Sequence, residues 1–293
     1  DTLLRQADQA MYQAKQAGRN AYHLFNPERD RQLRAQRDAQ IRIESALRAG
    51  ELELHYQPKI DTRSNRLIGV EALIRWKHPE LGLRLPGEFL PAVSESGFEI
   101  DLGNWVLATA VTQLDAWRGA GTTTTMSVNI SARHLAHPDF VPHLKQLLDA
   151  HPELDPGLLE LEVVESPTLG DMADTARVMA ACNALGVSFA LDDFGTGHSA
   201  LTSLRRLPVR SIKIDRSIIH NMLDDADDMA AVQGMIGLAS AFKREVIAEG
   251  VETPRHRQAL LRLGCHLIQG HGIAHPMPAA RMQRWMRAYA TRH

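Results

Sequence analysis

The chain has 293 residues, room for one large domain or two small ones, and its 44% hydrophobic and 23% charged content is that of a globular protein that buries a core. A formal net charge of −2 supplies no electrostatic footprint for long nucleic acid, and the two cysteines, Cys182 and Cys265, stand in no metal-ligand spacing and build no disulfide framework, as suits a reducing cytosol. No apolar run is long enough to span a bilayer and no signal peptide is visible, so a cytoplasmic location without membrane contact from this segment is expected. A start at Asp1 without Met reads as part of a longer protein, whose own membrane attachment is left open.

Taken in order, the chain opens with Leu3, Leu4, Ala7, Ala10, Met11 and Ala14 at helical spacing, then Gly18 as a stop and residues 21–25 as a short strand. One helix and one strand bury no core of their own. Ala7-Asp8-Gln9-Ala10-Met11-Tyr12-Gln13-Ala14-Lys15, followed by Gly18-Arg19-Asn20, resembles the end of GGDEF domains, the diguanylate cyclase module. The Gly-Gly-Asp-Glu-Phe signature is absent, so residues 1–27 are expected to be the C-terminal remnant of such a domain without cyclase activity. Residues 28–49 read as a charged linker helix, with Ile41, Ile43 and Leu47 on it and Gly50 as its stop, leading into a main domain over 50–293.

Within that domain β-rich runs at 52–58, 67–75, 125–130, 158–164, 187–191, 211–215, 245–249 and 266–269 alternate with helical stretches at 104–118, 140–150, 172–185, 199–206, 226–242 and 255–263. Alternation of this kind implies an α/β fold with a parallel sheet, and eight strands over such a length suggest a (β/α)8 barrel. The doubly wound open sheet is the alternative, without a Gly-rich dinucleotide fingerprint to support it. Thr122 to Thr125 reads as a strand lead-in, and the acidic cluster Asp224-Asp225-Ala226-Asp227-Asp228 as a cap for the helix that follows. His266, His271 and His275 read as scattered surface or wall residues rather than a ligand set.

The chemistry gathers at Phe189-Ala190-Leu191-Asp192-Asp193-Phe194-Gly195-Thr196-Gly197. Adjacent side chains on a strand face opposite ways, so Asp192 and Asp193 reach one site only where the backbone turns, and Gly195 and Gly197 are expected to supply the turn. Crowded carboxylates are relieved by a divalent cation. Helix capping competes with that reading, because Asp is a favoured N-cap and a helix is expected close behind.

The period of two extends the pattern to the other strands. Val70, Ala72, Ile74 and Trp76 form an apolar face for helix packing, so Glu71 and Arg75 point inward. By the same alternation Asn129, Glu162, with Glu160 on its face, and Lys213 point inward, and Glu249 and Gln269 close their strands. The result is a ring of Glu71, Asn129, Glu162, Asp192, Asp193, Lys213, Glu249 and Gln269 from seven strands. So many acids in one mouth call for cations; oxygen ligands suit Mg²⁺ or Mn²⁺, and two ions about 3.5–4 Å apart are the arrangement for in-line displacement at phosphorus. Lys213 is suited to steady the nucleophile or the developing phosphorane charge, and Arg75 to hold a second phosphate.

Glu71-Ala72-Leu73 is the signature of the EAL-domain family of cyclic di-GMP phosphodiesterases, and the chain resembles that family in several ordered motifs. They are Tyr56-Gln57-Pro58-Lys59, Asn129-Ile130-Ser131, Glu162-Val163-Val164-Glu165-Ser166, the Asp192-Asp193 segment, Lys213-Ile214-Asp215-Arg216-Ser217, Glu249-Gly250-Val251-Glu252 and Gln269-Gly270. The resemblance implies a modified (β/α)8 barrel with its first strand antiparallel, and hydrolysis of cyclic di-GMP to linear pGpG with two Mg²⁺ or Mn²⁺ per site. It further implies that Glu71, Asn129, Glu162, Asp192, Asp193 and Glu249 surround the metals and that Lys213 and Glu249 assist the water, with Glu71 also in the catalytic set. Gln57, Arg75 and Gln269 would contact substrate or its bound cluster, Glu165 would brace the loop after Asp193, and the protein would form a homodimer. His198 and His271 depart from the family, which carries aromatic residues there. The competing expectation is a receptor that binds cyclic di-GMP without cleaving it; because the ligand positions are all kept, the enzyme is favoured.

Overall fold

The computed structural model of the chain describes residues 27–94, 96–164, 172–195 and 200–291. The stretch read as the end of a GGDEF domain, up to residue 26, lies outside the described residues, as do Glu165 and His198.

Helix α1 (Pro27–Arg48) is exposed over residues 31–38 and meets the body near its end, where Ile43 and Ala46 are buried. Strands β1 (Leu52–Asp61) and β2 (Arg66–His78) form an antiparallel hairpin, paired from Leu52 opposite Trp76 to Asp61 opposite Arg66 with a register shift between Lys59 and Ile60. Its reversal is built by polar chemistry: Asp61 accepts from Arg63 N and Ser64 Oγ, and Asn65 takes the left-handed backbone (φ 51°) that Asn tolerates. There follow β3 (Gly82–Arg84), α2 (Pro86–Phe89), α3 (Phe98–Gly119), β4 (Thr125–Asn129), α4 (Ala132–Leu135), α5 (Phe140–Asp149), β5 (Leu159–Val164), α6 (Met172–Ala184) and β6 (Ser188–Phe194). The chain continues with α7 (Ala200–Arg206), β7 (Ser211–Ile214), α8 (Arg216–Asn221), α9 (Ala226–Ala241), β8 (Glu245–Ala248), α10 (Pro254–Arg262), β9 (Leu267–Gln269), β10 (Met277–Pro278) and α11 (Ala279–Ala290).

The sheet closes on itself in the order β1-β9-β8-β7-β6-β5-β4-β2-β1. Strand β1 runs antiparallel to both its barrel neighbours, β2 and β9, while the remaining contacts around the ring are parallel. The eight barrel strands and the reversed first strand are those expected. Val70, Ala72, Ile74 and Trp76 are buried on the helix side, and Tyr56 meets Trp117 of α3 edge to face at 4.8 Å.

Helix starts follow local capping. Asp225 accepts from the amides of Asp227 and Asp228 at the head of α9, as read from the acidic cluster, and Thr253 Oγ1 accepts from His256 N at the head of α10. Six elements escaped the sequence reading: β3, β10, α2, α4, α8 and α11. Strand β3 is a three-residue antiparallel flap on β2, and α11 begins at Pro278 without a side-chain cap, so neither announces itself locally. Helix α3 also starts earlier than expected, at Phe98.

Candidate active site

The strands bring the expected ring together at the carboxyl end of the barrel. Its centre is the Lys213 ammonium on β7, which is 1% exposed. Four carboxylates surround it: Glu162 Oε2 and Glu249 Oε1 at 2.6 Å each, Asp192 Oδ1 at 3.2 Å and Glu71 Oε2 at 3.6 Å. Neutral amides hold Glu71 in place: Asn129 Nδ2 donates to its Oε1 (2.7 Å) and Gln269 Nε2 to its Oε2 (2.6 Å). Gln269 Nε2 also donates to Gln57 Oε1 (3.1 Å), and Gln57 Nε2 donates to the Ala274 carbonyl (3.1 Å), fastening the loop after β9 to β1 at the barrel mouth. Arg75 is buried on the Glu71 face, with Nη1 donating to the Ile74 carbonyl of its own strand (2.8 Å).

The turn beside Asp192 and Asp193 includes Gly195, as expected, and also Asp193 itself, while Gly197 lies outside the described residues. The left-handed turn begins at Asp193 itself (φ 53°), within β6, where the pairing with β7 shifts register between Leu191 and Phe194; Gly195 (φ 103°) continues it. Asp and Asn adopt this backbone more readily than other side-chain-bearing residues. The Asp193 amide donates to Asp192 Oδ1 (3.0 Å), and the Asp193 side chain meets Asp215, which caps α8 through the Ser217 amide. The Asp192 carboxylate therefore serves the barrel mouth; the helix expected behind it is α7.

The electrostatics record an excess of acid. Burial disfavours the charge of Lys213, but Glu162, Glu249, Glu71 and Asp192 outweigh it and hold the ammonium well above its ordinary range. Burial pushes Glu249 up to about 8, with Asp192, Glu71 and Glu162 adding repulsion against the pull of Lys213. Burial, then Asp192 and Asp215, push Asp193 up to about 6, and Glu162 and Asp192 are raised for the same reason. Lys213 thus relieves only part of the repulsion that the sequence reading had given to metal ions.

A second polar layer lies one inward step deeper, and of it the sequence reading named only Glu160. Lys59 of β1, 2% exposed, donates to Ser127 Oγ, to Glu160 Oε1 (3.1 Å) and to Glu162 Oε1 (3.3 Å). Glu160 also accepts from Ser127 (2.6 Å) and Ser211 (3.2 Å), and these bonds with the Lys59 charge overcome burial to hold it at about 2. The signal was present: Ser127 and Ser211 lie two residues before Asn129 and Lys213, and Lys59 two after Gln57 on the reversed strand.

The donor set suits a hard cation. It is rich in carboxylate oxygens, and Gln269 Oε1 is buried at the mouth with no hydrogen-bond partner. Among the described residues no three acidic or imidazole groups already form a closed metal cage, because the Lys213 ammonium occupies the middle of the acids. Beside Glu71 and Asn129 opens a cavity of about 450 Å³, walled mainly by apolar side chains including Leu90, Val93, Leu102 and Val106. His271 and His275, expected to be scattered, have their rings in contact at 4.1 Å on the loop that Gln57 fastens, while His266 lies apart from them against Arg63.

Comparison with known proteins gives the same picture. The family described as EAL domain matches residues 40–276. The bifunctional diguanylate cyclase/cyclic di-GMP phosphodiesterase MucR of Pseudomonas aeruginosa is 39% identical over 281 residues, which cover 96% of this chain and 41% of that protein. Cyclic di-GMP phosphodiesterase PdeR of Escherichia coli is 36% identical over 291 residues, covering 99% of this chain and 44% of the relative. The chain thus spans less than half the length of these relatives. The solved structure of PaMucR phosphodiesterase in its c-di-GMP complex matches with a TM-score of 0.80 and 39% identity, covering 84% of this chain and 99% of that one.

Proposed function

The chain belongs to the EAL-domain family, and on that premise we propose that it is a phosphodiesterase that hydrolyses cyclic di-GMP to linear pGpG. The observation that carries the reading is the gathering of Glu71, Glu162, Asp192 and Glu249 around Lys213, beside an apolar cavity of about 450 Å³ that suits a nucleobase. Water adds to one phosphorus as its P–O3′ bond breaks, and the departing 3′-oxygen takes up a proton from solvent to become a hydroxyl. Glu249 Oε1 receives the water proton, and the Lys213 ammonium, 2.6 Å away, orients that carboxylate and offsets negative charge developing on the phosphoryl oxygens. Arg75 and Gln57 contact the substrate backbone, and Glu165 braces the loop after Asp193. Glu71, Asn129, Glu162, Asp192 and Asp193, with Glu249, would hold two Mg²⁺ or Mn²⁺ ions, and Gln269 would steady the cluster. Bound there, the ions would supply charge neutralisation and a more acidic water.

Support from the relatives is direct in one respect: MucR and PdeR are named as cyclic di-GMP phosphodiesterases. No helix among the described residues is long and apolar enough to cross a membrane, which is compatible with a cytoplasmic site of action. We read residues 1–27 as the end of a GGDEF domain, 28–49 as the linker helix and 50–293 as the phosphodiesterase barrel, acting as a homodimer. The test is incubation with cyclic di-GMP and Mg²⁺ or Mn²⁺, with products separated by chromatography. Metal-dependent pGpG is expected; tight binding without product would make the chain a receptor instead.

A further inference from the structure

Lys59 is a buried cation to which the chemistry above gives no task. It comes from β1, the reversed strand, where it pairs with Gln269 of β9 and Gly69 of β2 and sits a step deeper than Gln57. From there its side chain crosses the barrel to β4 and β5 and ends between Glu160 Oε1 (3.1 Å) and Glu162 Oε1 (3.3 Å). The other oxygen of Glu162 belongs to Lys213 (2.6 Å). Glu162 is therefore gripped between two ammonium groups, one above and one below, each fixing a different oxygen. Glu160, tied to Ser127 and Ser211, anchors Lys59 in turn.

A swinging carboxylate is a poor ligand, because each alternative rotamer dilutes the productive one; groups that orient ligands from behind are worth about 10–100-fold in affinity or activity. We propose that Lys59 is a positioning residue that pins the Glu162 carboxylate from beneath, so that the remaining lone pairs of Glu162 face the cation site at the barrel mouth. The inference rests on the reading of Glu162 as a cation-binding residue. The plainer alternative is that Lys59 only neutralises Glu160. Removing Lys59 alone does not separate the two, because it strands Glu160 as a buried charge.

The double substitution K59M/E160Q separates them, since it removes the buried pair together and leaves no charge stranded below Glu162. Steady-state hydrolysis, Mn²⁺ titration by calorimetry and the thermal midpoint are measured for it and the parent. Positioning predicts a retained fold, KM within about twofold, and kcat and Mn²⁺ affinity each reduced about 10–100-fold. Parental kcat and Mn²⁺ affinity in the folded double variant would overturn the inference. Should K59M/E160Q not fold, K59Q/E160Q, which keeps a polar group at both positions and strands no charge, is read by the same criteria. Absence of turnover in the parent would strike the proposed function alone; the Mn²⁺ titration then still decides Lys59, unchanged affinity overturning its role and a loss supporting it.

Discussion

Lys213 Nζ stands 2.6 Å from Glu249 Oε1, the same distance it keeps from Glu162 Oε2, so one ammonium couples the proposed proton acceptor to the floor of the site. Burial already pushes Glu249 up to about 8, so a neutral side chain of the same shape is tolerated there. E249Q should fold normally and bind cyclic di-GMP within a few-fold of the parent, while kcat falls by ~10²–10⁴, the range for loss of a general base. Chromatographic turnover with a separate binding titration checks this; parental kcat would remove Glu249 from the chemistry.

Asp193 sets function against stability. Its carboxyl is raised from 3.8 to about 6 by burial, Asp192 and Asp215, so the folded chain holds that proton more tightly than the unfolded one. The contribution favours the fold below 3.8 and is lost as pH rises through about 6. D193N keeps an Asn-compatible backbone at φ 53° and removes the charge. In chelator at pH 8 it should gain roughly 1 kcal/mol over the parent, after screening of a half-buried group is allowed for, and the gain should vanish at pH 4. Turnover at pH 8 should fall about 100-fold or more. Thermal midpoints at the two pH values, with hydrolysis alongside, measure both; an active D193N would remove Asp193 from the cation site.

Strand alternation made the ring legible, because inward residues near strand ends are fixed by a period of two and by which face is apolar. The same rule applied one step lower would have found Lys59, Ser127 and Ser211; reading only the strand tips hid them. The expected turn at Gly195 is present, but it begins one step earlier than glycine could reveal, at Asp193, because sequence shows where glycine permits a left-handed backbone, not where a bulge forces one on Asp. The contact between His271 and His275 depends on how a loop closes over Gln57, a tertiary event without a local signature.

Gly270 is required by close approach. A Cβ there would lie 2.2 Å from Val251 O and 2.3 Å from Val251 N, backbone atoms of the loop that follows Glu249. That loop and the one after Gln269 are laced together: Val251 N donates to Gln269 O and Gly272 N to Val251 O, both at 3.0 Å. G270A should destabilise by about 1–3 kcal/mol through overpacking and lower activity further by displacing Glu249 and Gln269. Thermal shift and specific activity of the folded fraction test it; an unchanged midpoint would contradict the backbone contact.

His134 carries the acid sensitivity of the wall behind the cavity. It is 2% exposed, its Nε2 pairs with Asn104 Oδ1 at 2.8 Å, and its Nδ1 is buried without a partner. A proton on Nδ1 would have no acceptor, and burial, with His143 and His137 nearby, lowers the imidazole from 6.5 to about 4. Between those values the unfolded chain takes up a proton that the folded chain refuses, so stability from this group is complete above 6.5 and is lost as pH falls toward 4. H134Q removes the titration and keeps a polar, uncharged side chain. Other groups titrate in the same range, Asp193 with the opposite sign, so the informative quantity is parent minus variant at each pH. That difference should shrink by about 2–3 kcal/mol from pH 7.5 to pH 4 in urea unfolding. A difference constant across the range would mean that His134 finds a proton acceptor on acidification, and would refute the buried neutral imidazole.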